Sequence, residues 1–505
     1  MQSGLRCSCQ HRCMREVDVG AIPIERLASL LEARRWARLA ECAGRARVLL
    51  AGRTVWNVNA TASGGGVAEM LQALLAYGRG AQVDTRWLVV DGSPGFFRVT
   101  KRLHNRLHGS VGDGGPLAKA DRDVYERVLD ANLSELRTMI RPGDIVLLHD
   151  PQTAGLVGGL LDTGAHVVWR SHIGRDTPNE LTESAWAFLR AYVEQAQAVI
   201  FSRRAYAPDW VDHDRLWVIP PSLDPFSGKN RELRPEDVAA ALHNAAIVSI
   251  PRNNGSLAFV RRNGLQGMCR RHEGLLTGGQ PVPERARIVL QVSRWDRLKD
   301  MAGVLTGFGD HVTRLPDDVH LMLAGPQVSG VSDDPEGAQV LEECVALWRS
   351  RPPEVRSRLH LCNLPMDDID ENAHLVNALQ RYATVVVQKS LEEGFGLTVT
   401  EPMWKARPGI ASRIGGIQDQ IVDGESGILL DDPRDLDAFA SHLNRLLQDP
   451  ALGGRLGAAA RQRVRDHFLG DRHLVQYVEL FDRLLSGRRP VTPRPPLVPR
   501  ARPGP

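Results

Sequence analysis

The sequence predicts an α/β protein made of two parallel-sheet halves. Three observations carry that expectation. The chain has 505 residues, too many for one hydrophobic core. Short β-rich runs alternate with helical stretches. That alternation lapses once, in a Pro- and Ser-rich connection, and then restarts.

Taken in order, residues 1–15 read as an unstructured leader. Residues 23–45, rich in Leu, Ala and Arg at helical spacing, read as one amphipathic helix. Candidate strands follow at 53–59, 85–90, 144–149, 166–171 and 197–202. Strands separated by helices imply a parallel sheet covered on both faces. The stretch 218–230, VIPPSLDPFSGKN, has few periodic apolar positions and reads as the interdomain connection. A charged, irregular region with one helix at 235–246 leads to strands at 287–293, 319–324, 359–362, 384–388 and 409–412. Helices at 434–448, 454–468 and 471–486 close the folded chain, and the Pro- and Arg-rich end is expected to be disordered. The boundaries so drawn are 1–48 for leader and helix, 49–225 and 226–468 for the two domains, 469–487 for a last helix, and 488–505 for the tail.

Composition narrows the function classes. Hydrophobic residues are 43% and charged residues 24%, ordinary for a soluble globular protein. A net charge of +3, from 63 basic and 60 acidic residues, gives no reason to expect nucleic acid or an anionic membrane as partner. No apolar run approaches the roughly 20 residues that span a bilayer, and no secretory h-region follows the first basic residues. A cytoplasmic protein is expected. Cys42, Cys269, Cys344 and Cys362 are scattered, as for reduced thiols. Cys7, Cys9 and Cys13, near His11, lack the spacing of a standard zinc knuckle, and Met14 is an alternative start.

Three loops carry chemistry. The first strand ends at Asn59 and leads into Gly64-Gly65-Gly66 ahead of a helix. Backbone N–H groups at a helix start suit an anion, and glycine lets a ligand approach closely, although a plain tight turn has the same look. The strand at 287–293 runs into SRWDRLKD, which sets Arg294 and Lys299 at the sheet edge where open α/β folds bind ligands. Two cations there suit a diphosphate that gathers charge as it leaves; a solvated basic turn is the alternative. The most specific segment is KSLEEGFGLTVTE, residues 389–401. A strand feeds a Gly394-Phe395-Gly396 turn, a helix begins near Leu397 or Thr398, Glu393 precedes the turn, and Glu401 falls in the helix's first turn. The turn's N–H groups can hold phosphate oxygens, and the carboxylates can accept from sugar hydroxyls.

EGFGLTVTE resembles the E-x7-E signature of family 4 retaining glycosyltransferases, and the spacing of Arg294 and Lys299 matches that family's phosphate clamp. VWNVNATASGGGVAEML, HDPQTAGL, WRSHIGRDTPN and PPSLDPFSGKNREL further resemble the glycosyltransferring trehalose synthase group, whose relatives include trehalose phosphorylases. The resemblance runs from about residue 25 to 470. It implies a glycosyltransferase-B fold: two Rossmann-like domains face each other across a cleft, the second holding a nucleotide sugar and the first an acceptor. It also implies that the last helix crosses back onto the first domain. Arg294 and Lys299 would then grip the diphosphate, Glu401 the ribose, and Glu393 the donor glucose. N–H groups around Gly394, Phe395, Gly396 and Leu397 would support phosphate or sugar, and Gly65 and Gly66 would approach the phosphate from the other domain. His172 would stand beside the reacting sugar, while His149 and Asp150 would line the acceptor pocket. Ser171 and Gly174 stand where the family pattern often has Cys and Asp.

The resemblance offers no carboxylate nucleophile beneath the anomeric carbon, so a front-face displacement with retention is expected. The reaction that the resemblance implies is glucosyl transfer from a nucleoside diphosphate glucose, UDP- or ADP-glucose for example, to glucose, giving α,α-trehalose. Alternatives are trehalose phosphorolysis or another acceptor. No tightly bound cofactor is implied. The cationic pair does the work of a metal, and stimulation by Mg2+ stays open. Asp333-Asp334 sits in a turn-rich loop and reads as a plain turn. Partners are small sugars and a nucleotide sugar; a homodimer is admissible.

Overall fold

The computed structural model describes residues 14–62, 65–251, 254–328 and 336–487. One sheet is built from β1 (Arg15–Glu16), β2 (Thr54–Asn59), β3 (Asp84–Val89), β4 (Ile145–His149), β5 (His166–Ser171), β6 (Ala198–Phe201) and β7 (Leu216–Val218), in the order β1-β3-β2-β4-β5-β6-β7. Its strands are parallel except β1, which pairs antiparallel with the edge of β3. The second sheet is wholly parallel. It contains β8 (Arg287–Val292), β9 (Val319–Pro326), β10 (Leu359–Leu364), β11 (Val385–Gln388), β12 (Gly409–Ser412) and β13 (Ile428–Leu430), in the order β10-β9-β8-β11-β12-β13.

Central strands of such sheets are apolar on both faces because helices cover both. In β4, Val146 and Leu148 join a core with Trp56, Trp169 and Phe96. Ile145 and Leu147 point the other way, to a layer with Val55, Val168 and Ile200. Side chains alternate across a strand, so one run of four apolar residues feeds two cores. The second layer is roofed by α1 (Ala33–Leu49), α2 (Gly66–Gly80) and the last described helix, Gly470–Ser486, through its Tyr477, Leu480 and Phe481. That helix therefore crosses back onto the first domain, and Arg35 of α1 pairs with its Asp471 at 2.7 Å.

Two local expectations are corrected. Residues 14 and 15 do not belong to an unstructured leader: Met14 is buried, and Arg15 with Glu16 pairs with β3. The helix expected over 23–45 is broken. A 3-10 turn at Ile24–Leu27 precedes α1, which runs on to Leu49. The cause is packing. Ile24 and Leu27 share one apolar cluster with Leu39, Cys42 and Tyr77, whereas an unbroken helix would hold Leu27 and Leu39 about 18 Å apart. Strand and helix ends elsewhere shift by a few residues; Pro450, for instance, begins its helix with Asp449 as the cap.

Buried histidines give the fold an acid-labile character. Burial pushes His320 down to about 4, and burial beside His320 pushes His360 to about 3. Burial likewise lowers His374 to about 4 and holds His149, His172 and His473 below the ordinary value. The unfolded chain protonates these rings near pH 6.5, and the folded chain does so only further down. Between those values the unfolded state binds more protons. Stability is thus complete above about pH 6.5 and falls as pH drops, by up to about 1.4 kcal/mol per ring per pH unit. Thermal unfolding should show Tm declining from about pH 6.5 to 5, ahead of the carboxylates. A Tm that stays flat through that window contradicts the neutral-ring account.

Candidate functional site

Strand order reverses at β8, which lies between β9 and β11. Ligands of open α/β sheets bind outside the carboxyl ends of strands at such a point. Arg294 and Lys299 follow β8, and Glu393 through Gly396 follow β11. In the first sheet the reversal falls at β2, between β3 and β4. Gly65 and Gly66 follow β2, His149 ends β4 and His172 follows β5. Both sets of loops meet in one interdomain cleft.

Several expected residues are brought together there. Lys299 Nζ donates to Glu393 Oε2 at 2.6 Å. Arg294 lies 4.0 Å from Asp296, which Lys101 of the other domain approaches to 4.0 Å as well. Burial pushes Asp296 up, but Lys101, Lys299 and Arg294 outweigh it and hold the carboxyl below its ordinary range. Gly396 takes φ +85° as the cap of the helix Leu397–Trp404, a conformation that favours glycine. A Cβ on Gly394 would stand 2.4 Å from the carbonyl oxygen of His172, so the two domains touch backbone to backbone at this turn. A Cβ on Gly66 would meet Leu397 Cδ1 at 3.3 Å. Tyr206 donates to the Gly394 carbonyl at 2.6 Å. Asp176 accepts from Gly415 N at 3.1 Å and from Gln418 at 2.7 Å, and Arg175 pairs with Glu392 at 3.4 Å. Gly64, the cysteines of the leader and Asp333-Asp334 lie outside the described residues.

His172 is held from below. Its backbone N–H donates to Asp150 Oδ1 at 2.7 Å, and its Nδ1 meets Asp150 Oδ2 at 3.0 Å. A carboxylate accepts only, so Nδ1 carries the proton and Nε2 is left as a bare acceptor. That nitrogen is buried with no partner among the described residues. Burial lowers the ring's pKa against the pull of Asp150, so it is neutral at pH 7. Asp150 pays for this with φ +64°, a rare conformation for a non-glycine residue. His149 does not reach the cleft surface as expected. It is fully buried, stacks on His172 at 5.4 Å, and its Nε2 meets Asn57 Oδ1 at 3.0 Å. Its place is beneath the His172 ring, because it stands two residues after Leu147 and so points to the same helix-covered face of the sheet.

Glu401 also differs from expectation. The helix begins at Leu397, so Glu401 lies just past the first turn, which carries no acid. It is buried, accepts from Gln380 at 2.9 Å, and has Lys229 at 3.9 Å. Helix-dipole complementarity therefore does not account for it. Lys229, from the interdomain connection, donates to Glu69 of α2 at 2.6 Å. Burial lowers its pKa, but Glu69 and Glu401 outweigh that and hold it above the ordinary range. Phe395 turns its ring into an apolar cluster with Phe468, 5.9 Å away, which leaves only its backbone at the turn.

Sequence reasoning missed Lys229, Glu69, Asp296, Tyr206, Asp176 and a stripe on the helix Pro94–Leu107. Asp296 and Lys229 stand inside motifs already singled out, SRWDRLKD and SGKN. Nothing in the sequence marks which helix face meets the opposite domain.

Residues 57–208 match the family described as trehalose synthase, N-terminal domain, and residues 370–463 match glycosyl transferases group 1. The chain is 33% identical to the trehalose synthase of Pyrococcus horikoshii over 86% of its length and 91% of that protein. It is 33% identical to the trehalose synthase of Rubrobacter xylanophilus over 94% of its length and all of that protein. A trehalose phosphorylase of Pleurotus sajor-caju is 28% identical over 80% of the chain and 54% of that protein. Among solved structures, a trehalose-6-phosphate synthase superposes with a TM-score of 0.64 at 16% identity, covering 88% of this chain and 100% of the other. The fold is of the glycosyltransferase-B type. Among the described residues, no helix is long and apolar enough to cross a membrane. The chain belongs to the trehalose synthase family and is a glycosyltransferase.

Proposed function

We propose that this enzyme transfers glucose, with retention, from a nucleoside diphosphate glucose to glucose, forming α,α-trehalose. The observation that carries the reading is the Lys299–Glu393 pair beside Gly394, directly against His172 of the opposite domain. In this scheme Arg294 and Lys299 bind the diphosphate and stabilise the charge it gains as the glycosidic C–O bond breaks. Glu401 holds the ribose hydroxyls and Glu393 the hydroxyls of the donor glucose. N–H groups of Gly394 to Leu397, with Gly65 and Gly66 opposite, support phosphate and sugar. The bare Nε2 of His172 accepts from a donor hydroxyl, with Asp150 as the residue that positions the ring. The acceptor hydroxyl attacks from the face that the phosphate leaves, and its proton passes to the departing phosphate oxygen. This is positioning and electrostatics, with no covalent glycosyl-enzyme.

Similarity to a trehalose phosphorylase favours a second reading, in which inorganic phosphate occupies the same clamp. Purified enzyme given UDP-, ADP- or GDP-glucose with and without glucose is expected to release trehalose only when both substrates are present. Turnover should persist in EDTA, since the cationic pair replaces the metal. Glucose 1-phosphate formed from trehalose and phosphate, with no reaction on any nucleotide sugar, would favour phosphorolysis instead.

A further inference from the structure

If the reading above holds, the acceptor needs hydroxyl-binding groups, and those first expected are occupied. Both carboxylate oxygens of Asp150 are engaged with His172, and His149 is sealed beneath it. The helix Pro94–Leu107 with its C-cap residue His108 supplies another set. Lys101, His104 and His108 follow one another at spacings of three and four, which aligns them on one face. The rings of His104 and His108 lie 5.0 Å apart. That face is turned toward the clamp. Lys101 Nζ is 4.0 Å from Asp296 Oδ2, and a Cβ on Gly394 would meet His108 Cε1 at 3.8 Å. His108 is only 7% exposed, and its Nδ1 is buried with no partner among the described residues. Glu401, by contrast, faces Lys229 and Glu69 of α2, so nucleotide-side contacts and this stripe belong to different parts of the cleft.

We infer that Lys101, His104 and His108, with Asp296 across the cleft, form the subsite that holds the acceptor hexose. The chemistry suits an uncharged polyol. Lys101 donates, Asp296 accepts, and a neutral imidazole offers one donor and one acceptor. Burial and the nearby Lys299 lower His108 to about 4, so its ring is neutral at pH 7. Lys101 is matched by Asp296 and Lys299 by Glu393, and Arg294 is assigned to the donor. No uncompensated cation of the stripe is left for a sugar phosphate.

The test uses the full chain with Lys101→Met, His108→Ala and His108→Asn, assayed with glucose and whichever donor the wild type consumes, a nucleoside diphosphate glucose or glucose 1-phosphate. Loss of one hydrogen bond to substrate should raise KM for glucose by roughly tenfold. KM for the donor, and calorimetric binding of the matching nucleoside diphosphate or phosphate, should stay at wild-type values. His108→Asn should recover part of the loss, and glucose 6-phosphate should be a poor acceptor for the wild type. The subsite is overturned if glucose KM is unchanged in an active variant, or if donor affinity falls in parallel. A wild type inactive with both donors overturns the functional reading and the subsite together.

Discussion

Lys299→Ala is expected to lower kcat by at least ~100-fold, as does removal of one transition-state charge partner elsewhere. Arg294→Ala should behave alike. In the structure Lys299 also neutralises Glu393 at 2.6 Å. On the proposed mechanism, that carboxylate without the lysine would face the leaving diphosphate uncompensated, which adds repulsion to the lost attraction. The loss should therefore appear at saturating donor and not only in KM. Lys299→Arg, which keeps the charge on a longer and planar group, should recover part of it. Single-turnover rates at saturating nucleotide sugar give the answer. Near-normal rates in both alanine variants would remove the clamp from the mechanism.

Gly394→Ala is expected to cost on the order of 100-fold in kcat/KM with little change in Tm. The added methyl would sit 2.4 Å from the His172 carbonyl oxygen, and the obstacle is backbone, which cannot swing aside. The domains must part by on the order of 1 Å, a misplacement that costs about 100-fold where reacting groups have to be held in register. Neither hydrophobic core is touched, so the melting temperature should hold. Gly454→Ala is the control. Its methyl meets nothing within 4 Å on the helix Pro450–His467, so the effect should be small. Equal activities in the two variants would show that the domain contact at Gly394 is not needed for turnover.

The placement of much of the candidate site was legible in the sequence. Arg294, Lys299, Glu393 and the Gly394–Gly396 turn follow β8 and β11 as ordered segments, and a strand–loop–helix grammar is written locally. His149 shows where such reading ends. At a strand's carboxyl end it looks like His172, yet its ring is fully buried against Asn57 and stacked beneath the His172 ring. Glu401 shows the same limit in reverse: a position that suggested a simple helix-terminus charge proves to be buried beside Gln380 and Lys229.

By itself the sequence determined two parallel α/β halves, their order along the chain, and which loops end at the ligand-binding edges. Periodicity, glycine turns and charge spacing act over a few residues, and that is enough for elements and edge loops. Only the tertiary structure decided which face of Pro94–Leu107 meets the clamp, that Lys229 joins Glu69 and Glu401, and that Gly394 is the point where the domains touch. Those contacts join residues more than a hundred positions apart, and they depend on the angle at which two separately packed bodies close, which no local pattern encodes.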